Sequence, residues 1–199
     1  MRGKAISTDQ VASRAVICDV DGVISPVWPD VDTLPWRDVA TAGNVFGPVL
    51  VSGRMGERLD VLHRLPDVSC WWLTSWTSEM RGSMVGFPGP EWPVVKEPDP
   101  NWIPKGRAWW KLAAVELWLD THPEVRHVAW CDDDLRGGRP AAVRRRFASR
   151  GLEPPLLIAP ATSVGLTPGD VERLEAWARA GDSKLDGPAA TPTISRAAG

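Results

Sequence analysis

The sequence predicts an α/β fold: a Rossmann-like three-layer sandwich with a mainly parallel central sheet. Three observations carry this expectation. Short apolar runs without polar alternation recur along the chain, as strands buried on both faces require. Segments with helical spacing alternate with those runs, so successive strands are joined by crossover helices. Acidic and hydroxyl residues stand immediately after the runs, where ligand sites lie in open parallel sheets.

Four runs read as buried strands: Ala15 to Cys18, Ser69 to Leu73, His127 to Cys131 and Pro155 to Ala159. A shorter run, Val49 to Ser52, reads as an edge or flap strand. Gly56 to Leu65 carries apolar residues at 59, 62 and 65, a helical stripe. Lys105 to Leu119 reads as a long helix that stops near Thr121-His122-Pro123. Residues 139–150 and 168–180 read as two further helices, the last opened by Pro168 and Asp170 and closed by Gly181. Residues 1–13 are polar and residues 183–199 lack apolar periodicity, so both are expected to be flexible, leaving one domain over 14–182.

Composition narrows the class. Of the 199 residues, 43% are hydrophobic and 24% charged, the balance of an ordinary globular domain. No run of about 18 apolar residues predicts a membrane span, and Met1 to Arg14 lacks the apolar core of a signal peptide. The expectation is a cytoplasmic protein with no membrane partner and no obligate protein partner. A formal net charge of -2 gives no broad cationic field for sequence-independent nucleic-acid binding. The cluster Arg144, Arg145, Arg146 and Arg150 reads as a solvated helix face. Cys18, Cys70 and Cys131 each lie in or at the end of an apolar run, the placement of small buried residues and not of a disulfide framework. Twelve tryptophans and no tyrosine are unusual. Trp71, Trp72, Trp109, Trp110, Trp118 and Trp130 read as core. Trp76, Trp92 and Trp102 stand beside loops, where packing under the loop competes with stacking on a ring or base.

The chemistry-bearing residues follow the apolar runs. After the first come Asp19-Val20-Asp21-Gly22, two carboxylates followed by a glycine suited to a tight turn. After the third come Asp132-Asp133-Asp134, three acids that repel one another unless solvated or neutralised by a cation. If these two strands are neighbours, five carboxylates converge. Mg2+ fits such a place, because it takes one or two protein carboxylates, keeps several waters and accepts phosphate oxygens. After the second run come Thr74-Ser75-Trp76, where hydroxyls and backbone N–H groups suit a phosphate. Pro104-Lys105-Gly106 opens the long helix, and a lysine there opposes the helix dipole unless an anion or the acidic cluster faces it.

Taken together, Asp19-Val20-Asp21-Gly22-Val23, Leu73-Thr74-Ser75, Lys105-Gly106-Arg107-Ala108 and Trp130-Cys131-Asp132-Asp133 resemble, in this order, the haloacid dehalogenase-like (HAD-like) hydrolase superfamily. The resemblance covers about residues 14–180. A closer likeness is to the HAD-like domains of proposed multi-enzyme RNA repair proteins. It rests on Trp71-Trp72-Leu73-Thr74-Ser75-Trp76, Trp130-Cys131-Asp132-Asp133, Val164-Gly165-Leu166-Thr167 and Trp177. Cys131 departs from the glycine many relatives have there. The resemblance implies a flap after the first strand, assigned to Ile24 to Val49, and no large cap domain. It implies Asp19 as nucleophile, forming an aspartyl-phosphate, and Asp21 as general acid and then base. It implies Thr74, Ser75 and Lys105 on the phosphoryl oxygens, and Mg2+ held by Asp19, the Asp21 main chain, Asp132 and Asp133. The implied activity is that of a phosphatase acting on a phosphorylated small molecule or a nucleic-acid end. A nucleic-acid end-processing phosphatase, a phosphotransferase and a non-catalytic binding module are the rival readings. Residues 82–104, with Phe87, Trp92, Lys96 and Trp102, form a second irregular stretch that would help to shape a pocket.

Overall fold

The computed structural model describes residues 12–44, 47–82, 88–89, 91–98 and 109–180. The segments expected to be flexible, up to residue 11 and beyond 182, lie outside these, as do Phe87, Trp102 and Lys105. The elements are β1 (Arg14–Cys18), a 3-10 turn (Val31–Thr33), β2 (Val39–Asn44), β3 (Gly47–Ser52), α1 (Gly53–His63), β4 (Val68–Trp72), α2 (Ser78–Gly82), α3 (Trp110–Thr121), β5 (His127–Cys131), α4 (Arg139–Ser149), β6 (Leu156–Ile158) and α5 (Pro168–Arg179).

The central sheet has the order β4-β1-β5-β6, with every pairing parallel. β1 is therefore interior, which explains why every one of its residues is buried. Its side chains alternate between two cores. Val16 and Cys18 join Cys70, Trp72, Ala129, Cys131 and Ile158 beneath Leu59 and Leu62 of α1 and Val171 and Leu174 of α5. Ala15 and Ile17 join Val128 and Trp130 beneath Ala114, Val115 and Trp118 of α3 and Val143 and Phe147 of α4. The helices thus form two layers on opposite faces, and the α/β class expected from the apolar runs holds. All three thiols are free, buried and on the α1–α5 face.

The local causes are readable. α3 buries positions 111, 114, 115, 118 and 119, a stripe at the helical period. α5 opens with a reciprocal capping box between Thr167 and Asp170, with Pro168 in its first turn. Ser13 is tied to Asp67 through its N–H (2.7 Å) and hydroxyl (2.8 Å), which anchors the entry to β1. The exposed edge of β4 is covered at its end, where Trp72 N–H donates to Pro93 (2.8 Å) and Val95 N–H donates to Trp72 (2.8 Å).

One expected strand is found with an unexpected partner, and one helix boundary differs from expectation. Val49 to Ser52 is part of β3, which pairs antiparallel with β2 in a separate two-stranded sheet. β2, Val-Ala-Thr-Ala-Gly-Asn, alternates residues of similar small size, so its amphipathic signal is weak. The helix expected from Lys105 is described from Trp110, with Trp109 at its N-cap. Among the described residues, no helix is long and apolar enough to cross a membrane.

Candidate functional site

The first, second and third runs are adjacent strands, so the residues that follow them meet at one end of the sheet. Asp19 follows β1, Thr74 lies two residues beyond β4, and Asp132 follows β5. The backbone fixes this meeting. Asp19 N–H donates to Cys131 O (3.0 Å), Leu73 N–H to Cys18 O (2.9 Å) and Asp132 N–H to Ile158 O (3.0 Å).

Asp19 and Asp132 are buried, and between them lies the Lys111 ammonium. Lys111 Nζ donates to Asp19 Oδ2 and, at 2.8 Å, to Asp132 Oδ2. Asp19 also accepts from Val20 N–H at 2.7 Å, and the nearby Thr74 hydroxyl favours its ionised form. Asp132 Oδ1 accepts Asp134 N–H at 2.9 Å. Burial pushes the Asp19 carboxyl up against the pull of Lys111. Burial likewise lifts Asp132 to about 7, opposed by Lys111 and assisted by repulsion from Asp19. Burial disfavours the Lys111 charge, but the two aspartates outweigh it and hold the ammonium above its ordinary value. These directions have one cause: two carboxylates and one ammonium leave an excess negative charge in a place poor in water.

Asp133 is half-buried and accepts from the Thr162 hydroxyl at 2.6 Å. One ligand atom each from Asp19, Asp132 and Asp133 lies within 4.8 Å of the others. Gly22 makes room for this group. Its φ is +69°, and a Cβ there would stand 2.5 Å from Asp133 Oδ2. The donor set is carboxylate oxygen throughout, the chemistry of a hard divalent cation. Three carboxylates facing one ammonium leave two formal negative charges, which a hard divalent cation such as Mg2+ would offset, so the residues fit an ion of that class.

Asp21, also expected as a metal ligand, is not one of that group of three. Its Oδ2 accepts Trp76 Nε1–H at 2.9 Å, joining the loop after β1 to the loop after β4. Arg81 steadies the second loop by donating to the Trp76 carbonyl while pairing with Glu97 at 3.1 Å. Ser75 is exposed beside Thr74. Trp76 and Trp92 are buried, so both pack under loops and neither offers a stacking face. Arg144, Arg145, Arg146 and Arg150 are exposed on α4 and its C-cap, and Arg150 pairs with Asp120 at 2.6 Å, in keeping with a solvated face.

Lys105, the lysine expected at the site, lies outside the described residues; among the described residues the lysine at the site is Lys111, which the sequence motifs do not single out. A signal existed: Lys111 heads the buried stripe of α3, where an unpaired ammonium would be costly. Comparison with protein-family models, curated proteins and solved structures gives no match.

Proposed function

We propose that this chain is a Mg2+-dependent phosphohydrolase of the HAD-like kind, acting on a phosphomonoester through an aspartyl-phosphate on Asp19. The observation that carries the reading is the Lys111 ammonium bridging Asp19 and Asp132 at the end of β1 and β5. A carboxylate so held cannot swing freely, and Lys111 favours its ionised form, the form that attacks phosphorus.

Asp19 attacks phosphorus, the bond to the ester oxygen breaks, and the phosphoryl group is carried on Asp19. Asp21 gives a proton to the departing oxygen, then takes one from the water that hydrolyses the intermediate. Trp76 holds Asp21 in place for both steps by its indole N–H. Lys111 and Thr74 offset charge on Asp19 and on the phosphoryl oxygens, with Ser75 beside them. Asp19, Asp132 and Asp133 would hold Mg2+, which when bound would supply positive charge to offset that of the phosphoryl oxygens.

The test is hydrolysis of a panel of phosphate esters, with and without Mg2+, by the parent chain and by Asp19→Asn. Magnesium-dependent turnover that vanishes in Asp19→Asn, with the far-UV spectrum unchanged, is the expected result. Substantial turnover by Asp19→Asn would sink the assignment. An alcohol acceptor included in the panel separates hydrolysis from phosphoryl transfer.

A further inference from the structure

The Thr162 hydroxyl donates to Asp133 Oδ2 at 2.6 Å, and no step of the proposed reaction uses it. Its own placement is fixed by the backbone. The Thr162 carbonyl accepts Val27 N–H at 2.9 Å, which ties it to the loop after β1. The turn that follows is closed by Val164 N–H and Gly165 N–H on the Ala161 carbonyl, at 2.8 and 2.9 Å. Leu166 N–H then meets Val23 O at 2.8 Å, so the segment after β6 is fastened to the β1 loop at two places. Gly165 lets the two stretches come this close: its φ is +71°, and a Cβ there would stand 2.8 Å from Val23 O.

The direction of the hydroxyl follows from what faces it. Arg136 Nη2 donates to Pro160 O at 2.8 Å and to Thr162 Oγ1 at 3.3 Å. A guanidinium only donates and an ionised carboxylate only accepts, so the single proton of the hydroxyl goes to Asp133. The same carboxylate oxygen is closed off from a second side. A Cβ on Gly22 would stand 2.5 Å from Asp133 Oδ2, so the backbone of the β1 loop lies against it. Among the described residues, no hydrogen bond reaches Asp133 Oδ1. The two oxygens are therefore unequal: Oδ2 is engaged and walled, and Oδ1 is uncommitted.

We infer that Thr162 is a positioning residue that sets the cation preference of the acidic site, by leaving Asp133 one oxygen with which to meet an ion. The inference rests on the reading of Asp19, Asp132 and Asp133 as a Mg2+ site and names what tunes it. Mg2+ takes few protein oxygens, demands octahedral order and keeps several waters. Ca2+ accepts more oxygens and takes both from one carboxylate. A carboxylate held in orientation and restricted to one oxygen therefore favours the smaller ion. Partners that orient a metal-binding carboxylate in this way typically change metal affinity by about 10–100-fold.

The test is calorimetric titration of the parent chain, Thr162→Val and Thr162→Ser with Mg2+ alone and with Ca2+ alone, no ester present. Valine keeps the shape of the side chain and the main-chain bond to Val27 but has no hydroxyl; a thermal scan without either ion checks its fold. Thr162→Val is expected to lower the ratio of Mg2+ to Ca2+ affinity by about tenfold, the low end of that range. Thr162→Ser should keep the parent ratio. Arg136→Met leaves Thr162 in place and frees its hydroxyl to turn, so it should shift the ratio the same way by a smaller factor, and it reads the same relay if the valine chain does not fold. A parent ratio in the folded hydroxyl-free or Arg136 variant, whether both affinities fall together or neither moves, would overturn the inference. So would a serine variant that behaves like the valine one. Binding of neither ion by the parent removes the Mg2+ site and this inference together. Mg2+-dependent turnover with an unmoved ratio keeps the phosphohydrolase and removes the role of Thr162. A moved ratio with no ester hydrolysed does the reverse.

Discussion

Lys111 is the residue on which the charge balance of the site turns, because it is the buried cation between two buried acids. Removing one partner of such a cluster leaves charge without compensation. Lys111→Gln is expected to lower turnover by about 10²–10³-fold, the scale of losing one group that offsets transition-state charge. The same variant should gain more thermal stabilisation from added Mg2+ than the parent does, since the carboxylates have lost their internal cation. Equal shifts in the two proteins, read in a thermal scan with and without the ion, would count against the charge balance described here. Asp19, Asp21, Thr74, Asp132 and Asp133 were legible because each follows an apolar run, and strand ends in parallel sheets are where polar side chains converge. Lys111 was not, because it lies inside a helix whose buried stripe reads as core until its acidic partners are seen across the sheet end.

At the scale of elements, the joint between the β2–β3 hairpin and α1 is closely tied. Ser52, the N-cap of α1, accepts Met55 N–H at 3.1 Å and donates to Asp38 at 2.8 Å, while Asp38 accepts Arg54 N–H at 2.7 Å. Ser52→Ala should cost about 1 kcal/mol in a urea titration, as caps of this kind do. Partial burial pushes the Asp38 carboxyl up, but hydrogen bonds from Arg54 N–H and the Ser52 hydroxyl outweigh it and hold it below the usual carboxylate range. A lowered folded value means that the stabilisation is fully present above the unfolded pKa of about 3.9. It is lost as the pH falls through the lower folded value. Asp38→Asn should therefore flatten the acid limb of the stability profile in that window; an unchanged limb would show that the joint contributes nothing there. Only half of this hairpin was legible. Val49 to Ser52 reads as a strand by its apolar content, whereas β2 acquires its role from its partner, a long-range pairing that local pattern does not encode.

For the molecule as a whole, the layered class followed from the sequence because β1, β4 and β5 are apolar on both faces and helices intervene. The strand order did not, since crossover connections fix which strands are parallel but leave several orders open. Order decides everything at the site: with β1 between β4 and β5, Thr74 and Asp132 flank Asp19. It also decides the fate of the thiols. Cys18, Cys70 and Cys131 lie on those three strands, all on the same buried face. Burial raises the Cys70 thiol, and contact with Cys18 together with burial raises that of Cys131, so neither is a ready nucleophile in the folded chain. The sheet therefore contains its own clock. A thiol-selective reagent can label these positions only when the central strands separate, so all three should be modified with one shared rate constant, and Mg2+ should slow that rate by one common factor. Three different rates would mean that the sheet opens strand by strand.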